Sequence, residues 1–126
     1  MKLRECFLHA VALVRADDDA REAWAAMNQK NAPWAAVFEG EHLVGLLNRE
    51  DLAAVRAPEV FVTAGELAAV EKAARRAIRL SPDDKREEAL ARLELAGADA
   101  AFVEGRGRPP GVLVRGRGKP LWPALY

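Results

Sequence analysis

At 126 residues, 51% of them apolar, and with 19 basic against 19 acidic side chains, the chain has the make-up of one ordinary globular domain. No apolar run approaches the roughly 20 residues that cross a bilayer, which argues against a membrane protein. The single cysteine, Cys6, excludes an internal disulfide and fits a reducing cytoplasm.

Lys2 and Arg4 precede the apolar run Cys6–Val14, the outline of a short signal-peptide core. That run ends in a predicted strand, Val11–Val14, whose counterpart recurs at Ile78–Leu80, so the segment is expected to belong to the fold. From Asp18 to about Lys30 the apolar positions Ala20, Ala23, Trp24 and Met27 recur at helical spacing. Trp34–Phe38 and Leu43–Leu47 read as two strands around a Glu39–His42 hairpin, and a helix should follow from Arg49 to Val55, stopped by Pro58. Thr63-Ala64-Gly65-Glu66 is a capping box that opens a connector helix to about Ala77, with Leu67, Val70 and Ala74 on its apolar face. Ser81-Pro82-Asp83-Asp84 predicts another helix start, with Ser81 as N-cap; Ala89, Leu90, Leu93 and Ala96 form its stripe and Gly97 its stop. Ala100–Val103 and Val112–Arg115 read as a last strand pair, and Gly116, Gly118, Pro120 and Pro123 forbid a closing helix.

The two halves of this plan are copies. Val14–Leu52 lies over Leu80–Gly118 at a constant spacing of 66 residues without a gap. Asp17/Asp83, Asp18/Asp84, Glu22/Glu88, Val37/Val103, Gly45/Gly111 and Arg49/Arg115 are identical pairs. Repetition of this kind means that one supersecondary unit buries its apolar face against its copy, and the seam between the copies is a natural ligand site.

The segments VRADDDAREAWAAM and PWAAVFEGEHLVGLLNREDL in the first copy, and SPDDKREEALARLELAGADAAFVEG and GVLVRGRG in the second, resemble the CBS domain, named after cystathionine β-synthase. The resemblance implies an α/β (α+β) fold: two pseudo-twofold-related β-α-β-β(-α) repeats joined by a connector helix. The expected division is 1–62 for the first repeat and 63–126 for the connector and a degenerate second repeat. In the family a Gly-x-x-Thr/Ser-x-x-Asp stretch binds adenosyl ligands, and here it reads Gly45-Leu46-Leu47-Asn48-Arg49-Glu50-Asp51. By that resemblance Asp51 takes a ribose, beside Asn48 and Arg49, and Pro33, Trp34 and Ala35 line a base pocket. Asn48 departs from the family's Thr/Ser, and Asn48 and Asp51 also suit a helix capping box. Trp34 suits a core position as well as stacking on a base.

In the second copy the equivalent places hold Val114 and Arg117. Valine offers no hydrogen bond and arginine only donates, so the usual ribose site is missing there. Either Arg115 and Arg117 clamp phosphates or the second site has decayed.

No catalytic machinery is visible, and the chain is expected not to be an enzyme. Cys6 and His9 have ligand-like spacing, but two residues do not make a metal site, and no metal is expected. Asp17, Asp18 and Asp19 are explained by the dipole of the helix they precede. The expected function is a stand-alone regulatory module holding AMP, ATP or S-adenosylmethionine, with no other cofactor; the alternative is a ligand-free dimerisation module. Self-association as a homodimer is implied by the resemblance under both. A weaker alternative, nucleic-acid binding through Arg106–Lys119, lacks interleaved aromatic residues.

Overall fold

The computed structural model describes residues 1–53 and 61–116. Strand β1 (Val11–Arg15) leads to helix α1 (Ala20–Lys30), then to strands β2 (Trp34–Glu39) and β3 (His42–Asn48) and helix α2 (Arg49–Ala53). Two short helices, α3 (Ala64–Ala68) and α4 (Glu71–Ala74), join this unit to β4 (Arg79–Leu80), α5 (Arg86–Ala96), β5 (Ala100–Gly105) and β6 (Arg108–Val114). The 66-residue spacing read from sequence is the spacing of the elements: α1, β2 and β3 shifted by 66 give the bounds of α5, β5 and β6.

Each copy builds a three-stranded sheet, in the orders β1-β2-β3 and β4-β5-β6, with the first pair parallel and the second antiparallel. Registers repeat too, since Trp34 faces Asn48 as Ala100 faces Val114, and Val37 faces Gly45 as Val103 faces Gly111. Both hairpins shift register just beyond the glycine pair. Alternation along the strands divides the core into three layers. Ala35, Val37 and Leu47 face α1 on one side; Ala101, Val103 and Leu113 face α5 on the other. Between the sheets, Val11, Trp34, Leu46, Phe102 and Val112 pack as a shared interior.

The segment leading each copy crosses to the other. Leu3 N–H donates to Asp84 O and Arg4 N–H to Pro82 O, while Ala64 N–H donates to Asp18 O and Gly65 N–H to Ala16 O, so matched carbonyls of the two copies are capped alike. The connector therefore lies on the first copy, and residues 1–9 lie on the second. Asp18 and Asp84 also act alike, accepting from the backbone N–H of Arg15 at 3.0 Å and of Ser81 at 2.8 Å.

Two expectations need correction. The connector is not one helix: Val70 is extended and 57% exposed, and Ala68, Ala73 and Arg76 are the buried positions, while Leu67 of the expected stripe packs part-buried against the first core. The break brings Ala68 O and Ala73 O onto Gly45, where a Cβ would sit 2.5 Å and 2.8 Å from them. Ser81 does not cap α5, whose N-cap is Lys85. Its hydroxyl instead accepts from Asp83 N–H at 3.1 Å within the preceding turn, because α5 begins only where Arg86 N–H meets Met1 O. The helix expected from Arg49 to Val55 is described to Ala53, and the tail containing Arg117 and Trp122 lies outside the described residues.

Candidate functional site

At the β3–α2 junction Asn48 and Asp51 form a reciprocal cap. Asp51 N–H donates to Asn48 Oδ1 and Asn48 N–H to Asp51 Oδ2, both at 2.9 Å. Asp51 Oδ2 also accepts from Arg76 Nη1 at 2.9 Å. Arg76 has no exposed surface and lies at the seam of the copies, just after α4. Its Nη1 donates as well to Leu46 O at 3.0 Å, and its Nε and Nη2 fork onto Asp99 at 2.6 Å and 3.3 Å. Its guanidinium carbon stands 5.1 Å from the ring centroid of Trp34.

One guanidinium thus joins the carboxylate of the first copy to a carboxylate of the second, over the indole expected to line a base pocket. Partial burial pushes the Asp99 carboxyl up, but hydrogen bonds from Arg76 and its charge outweigh this and hold it below the usual range. Burial likewise works against the charge on Arg76, and the bonds to Asp99 and Asp51 raise it above its ordinary value.

The other expected site residues separate around this junction. Trp34 is buried between the sheets, whereas Ala35, its neighbour along the strand, faces the opposite core beneath α1. Pro33 is half-buried. Arg49 turns towards the end of α1, with Nη1 on Asn28 Oδ1 at 2.7 Å, Nη2 on Ala32 O at 3.3 Å, and its guanidinium over Trp24. These bonds explain Arg49 as a C-terminal partner of α1, where a cation complements the helix dipole.

Among the described residues Arg115, the counterpart of Arg49, makes no such closure. It stands on the wall of an open cleft of about 610 Å³ lined by Lys72, Arg75, Glu94, Gly97, Asp99 and Arg115. Lys72 lies in α4 and Arg75 is its C-cap, Glu94 lies in the last turn of α5 and Gly97 is its C-cap, and Asp99 is the residue before β5. Asp99 is tied to the end of β6 by Arg115 N–H donating to its carbonyl at 2.8 Å. Three cations face two acids in the cleft; Arg75 is held by Glu71 at 2.8 Å and Asp99 by Arg76, which leaves Lys72 and Arg115 against Glu94, so the walls keep a small positive excess that favours an anion.

Lys72, Arg75, Arg76 and Asp99 were not among the residues expected from sequence. Asp99 had a signal, since a spacing of 66 places it on Pro33 of the expected base pocket. Among the described residues no group of three or more His, Cys, Asp or Glu side chains converges as a metal site. Cys6 and His9 do not share a helix: Cys6 ends a three-residue 3-10 turn, and His9 bridges to Val112.

Residues 4–57 match the model of the CBS domain. No curated protein matches the sequence at a significant level. Among solved structures, Hypoxic Response Protein I with two coordinated zinc ions is 21% identical, with 90% of this chain and 93% of that one covered and a TM-score of 0.60. The CBS domain of a membrane protein from Sphaerobacter thermophilus is 20% identical over 91% and 83%, with a TM-score of 0.62. The CBS domain of a bacterial CNNM/CorC family Mg2+ transporter in complex with ATP is 13% identical over 90% and 81%, with a TM-score of 0.64. Likeness at these identities speaks to the fold, and it agrees with the duplicated sheets and the matched registers of the two copies. The first copy thus matches the CBS-domain model, and the whole chain has the fold of these CBS-domain structures.

Proposed function

We propose that the protein is a regulatory CBS pair without catalytic chemistry of its own, and that it takes an adenosyl ligand in the cleft between α4, the end of α5 and the end of β6. The observation that carries this reading is the meeting of Lys72, Arg75 and Arg115 around a space of about 610 Å³, within the range of small-molecule sites. Three cations suit the phosphates of AMP or ATP better than the positively charged sulfonium of S-adenosylmethionine. The ATP complex of the CNNM/CorC transporter domain shows a protein of this fold holding such a ligand. A ligand touching both α4 and the second copy favours one arrangement of the two halves, which is the means of regulation. Homodimerisation in the cytoplasm completes the reading, and light scattering of the purified chain checks the dimer.

A thermal-shift panel of AMP, ADP, ATP and S-adenosylmethionine tests the ligand. A nucleotide at 100 times its dissociation constant adds about 2.7 kcal/mol of stability. Lys72→Ala and Arg115→Ala are expected to remove the shift with little change in the unliganded melting temperature, since both side chains leave the core untouched. A second reading, a ligand-free structural module, is favoured by Arg76, which already satisfies Asp51 and covers Trp34. A panel in which nothing moves the transition selects that reading.

A further inference from the structure

The duplication is broken around Arg76. This buried cation lies on the face of Trp34 and reaches Asp51, the Leu46 carbonyl and, across the seam, both oxygens of Asp99. A spacing of 66 carries Trp34 to Ala100, Arg76 back to Ala10 and Asp99 back to Pro33. None of these counterparts has a charge, a side-chain donor or an aromatic ring, so receptor and cation are present together on one side and missing together on the other.

The residues of the first copy expected to meet a ligand are turned inward. Asp51 Oδ2 accepts from both Asn48 N–H and Arg76 Nη1, and Asn48 Oδ1 accepts from Asp51 N–H. Arg49 is bonded to Asn28 and Ala32, and Trp34 keeps 7% of its surface exposed. An indole face beside two carboxylates is a receptor for a cation, and the fork onto Asp99 suits a guanidinium where an ammonium has no such geometry. The cleft at the end of β6 stays open at about 610 Å³.

We infer that Arg76 is a built-in occupant of the first copy, a guanidinium held on Trp34 between Asp51 and Asp99, and that each chain therefore has one open site, the cleft of Lys72 and Arg115. The segment that joins the copies thus also closes one of them. The count of one site rests on the adenosyl reading of that cleft; the cation receptor rests on the surroundings of Arg76 alone.

Two measurements on the full chain test this. In the first, Arg76→Ala is melted with methylguanidinium, methylammonium or sodium chloride at equal ionic strength. Methylguanidinium at ten times its dissociation constant is expected to raise the melting temperature of Arg76→Ala by about 3–6 °C and to leave the parent unchanged. Methylammonium, unable to fork onto Asp99, should give less than half of that rise. Equal effects of the two cations, or no effect of either, overturn the occupant. Should Arg76→Ala not fold alone, the same cations are present during refolding; recovery of a cooperative transition with methylguanidinium only is then expected, and no recovery overturns the inference. In the second, titration calorimetry with ATP should give one ATP per parent chain and none when Lys72→Ala and Arg115→Ala are combined. Two ATP per chain, or one that survives the double substitution, overturns the single open site. Failure of the parent to bind ATP removes the adenosyl reading, and the methylguanidinium result still decides whether Arg76 is the occupant.

Discussion

A guanidinium with no exposed surface carries a desolvation penalty of several kcal/mol unless its donors and charge are met. Arg76 meets this with four hydrogen bonds, two to Asp99 and one each to Asp51 and the Leu46 carbonyl. Its removal leaves two carboxylates facing each other across a void, but both keep access to water, with 23% and 30% of their side chains exposed. Arg76→Met is therefore expected to cost about 2–3 kcal/mol in urea unfolding, at or below the low end for a broken buried pair. Asp99 gives the pair a pH dependence. Its carboxyl is held below the ordinary value in the folded state, so the associated stability is fully present above about pH 4–5 and is lost as pH falls through the lower folded value. Acid unfolding of Asp99→Asn should accordingly be less steep below pH 4 than that of the parent, with Asp83 and Glu66, also held low, supplying the remaining slope. Asp51 was legible as a chemically important residue, and its partner was not. Arg76 sits 25 positions away in a segment whose apolar stripe pointed to other residues, and only folding brings the two together.

Gly45 and Gly111 hold the same register position, and each is a glycine because something crosses over it. At Gly45 the neighbours are the backbone carbonyls of Ala68 and Ala73, which cannot move without shifting α3 and α4. At Gly111 the nearest atom is Leu8 Cβ at 2.8 Å, part of a side chain on the leading segment. Gly45→Ala should cost about 2–3 kcal/mol and Gly111→Ala about 1 kcal/mol, in the range of overpacked cores, as read from thermal or urea midpoints. The capping box at Thr63 was visible in sequence, and the structure forms it, with Glu66 N–H donating to Thr63 Oγ1 at 3.1 Å and Thr63 N–H to Glu66 Oε1 at 2.9 Å. Thr63→Ala should cost about 1 kcal/mol, checked in the same unfolding series. Helix starts fixed by local side chains were easier to place than those fixed from afar. Thr63 caps its own helix, whereas α5 begins where the distant Met1 carbonyl meets Arg86.

The two copies are one cooperative body, because each is finished by a segment belonging to the other and both sheets share an interior. Leu3 is fully buried against the second copy and packs with Leu80, Leu93 and Leu113. Leu3→Ala should cost about 2–4 kcal/mol and lower a single unfolding transition rather than split it, as followed by calorimetry. Within the chain itself lay the duplication, the succession of strands and helices in each copy and the paired acids ahead of each helix. All of these follow from periodicity and from residues that act on near neighbours. The crossing of the leading segments, the break at Val70, the meeting of Lys72, Arg75 and Arg115 around one cleft, and the Asp51–Arg76–Asp99 bridge lay outside it. Each depends on which distant residues share a small volume, and hydrophobic pattern fixes which face of an element is buried without saying which charged side chain from elsewhere is buried with it.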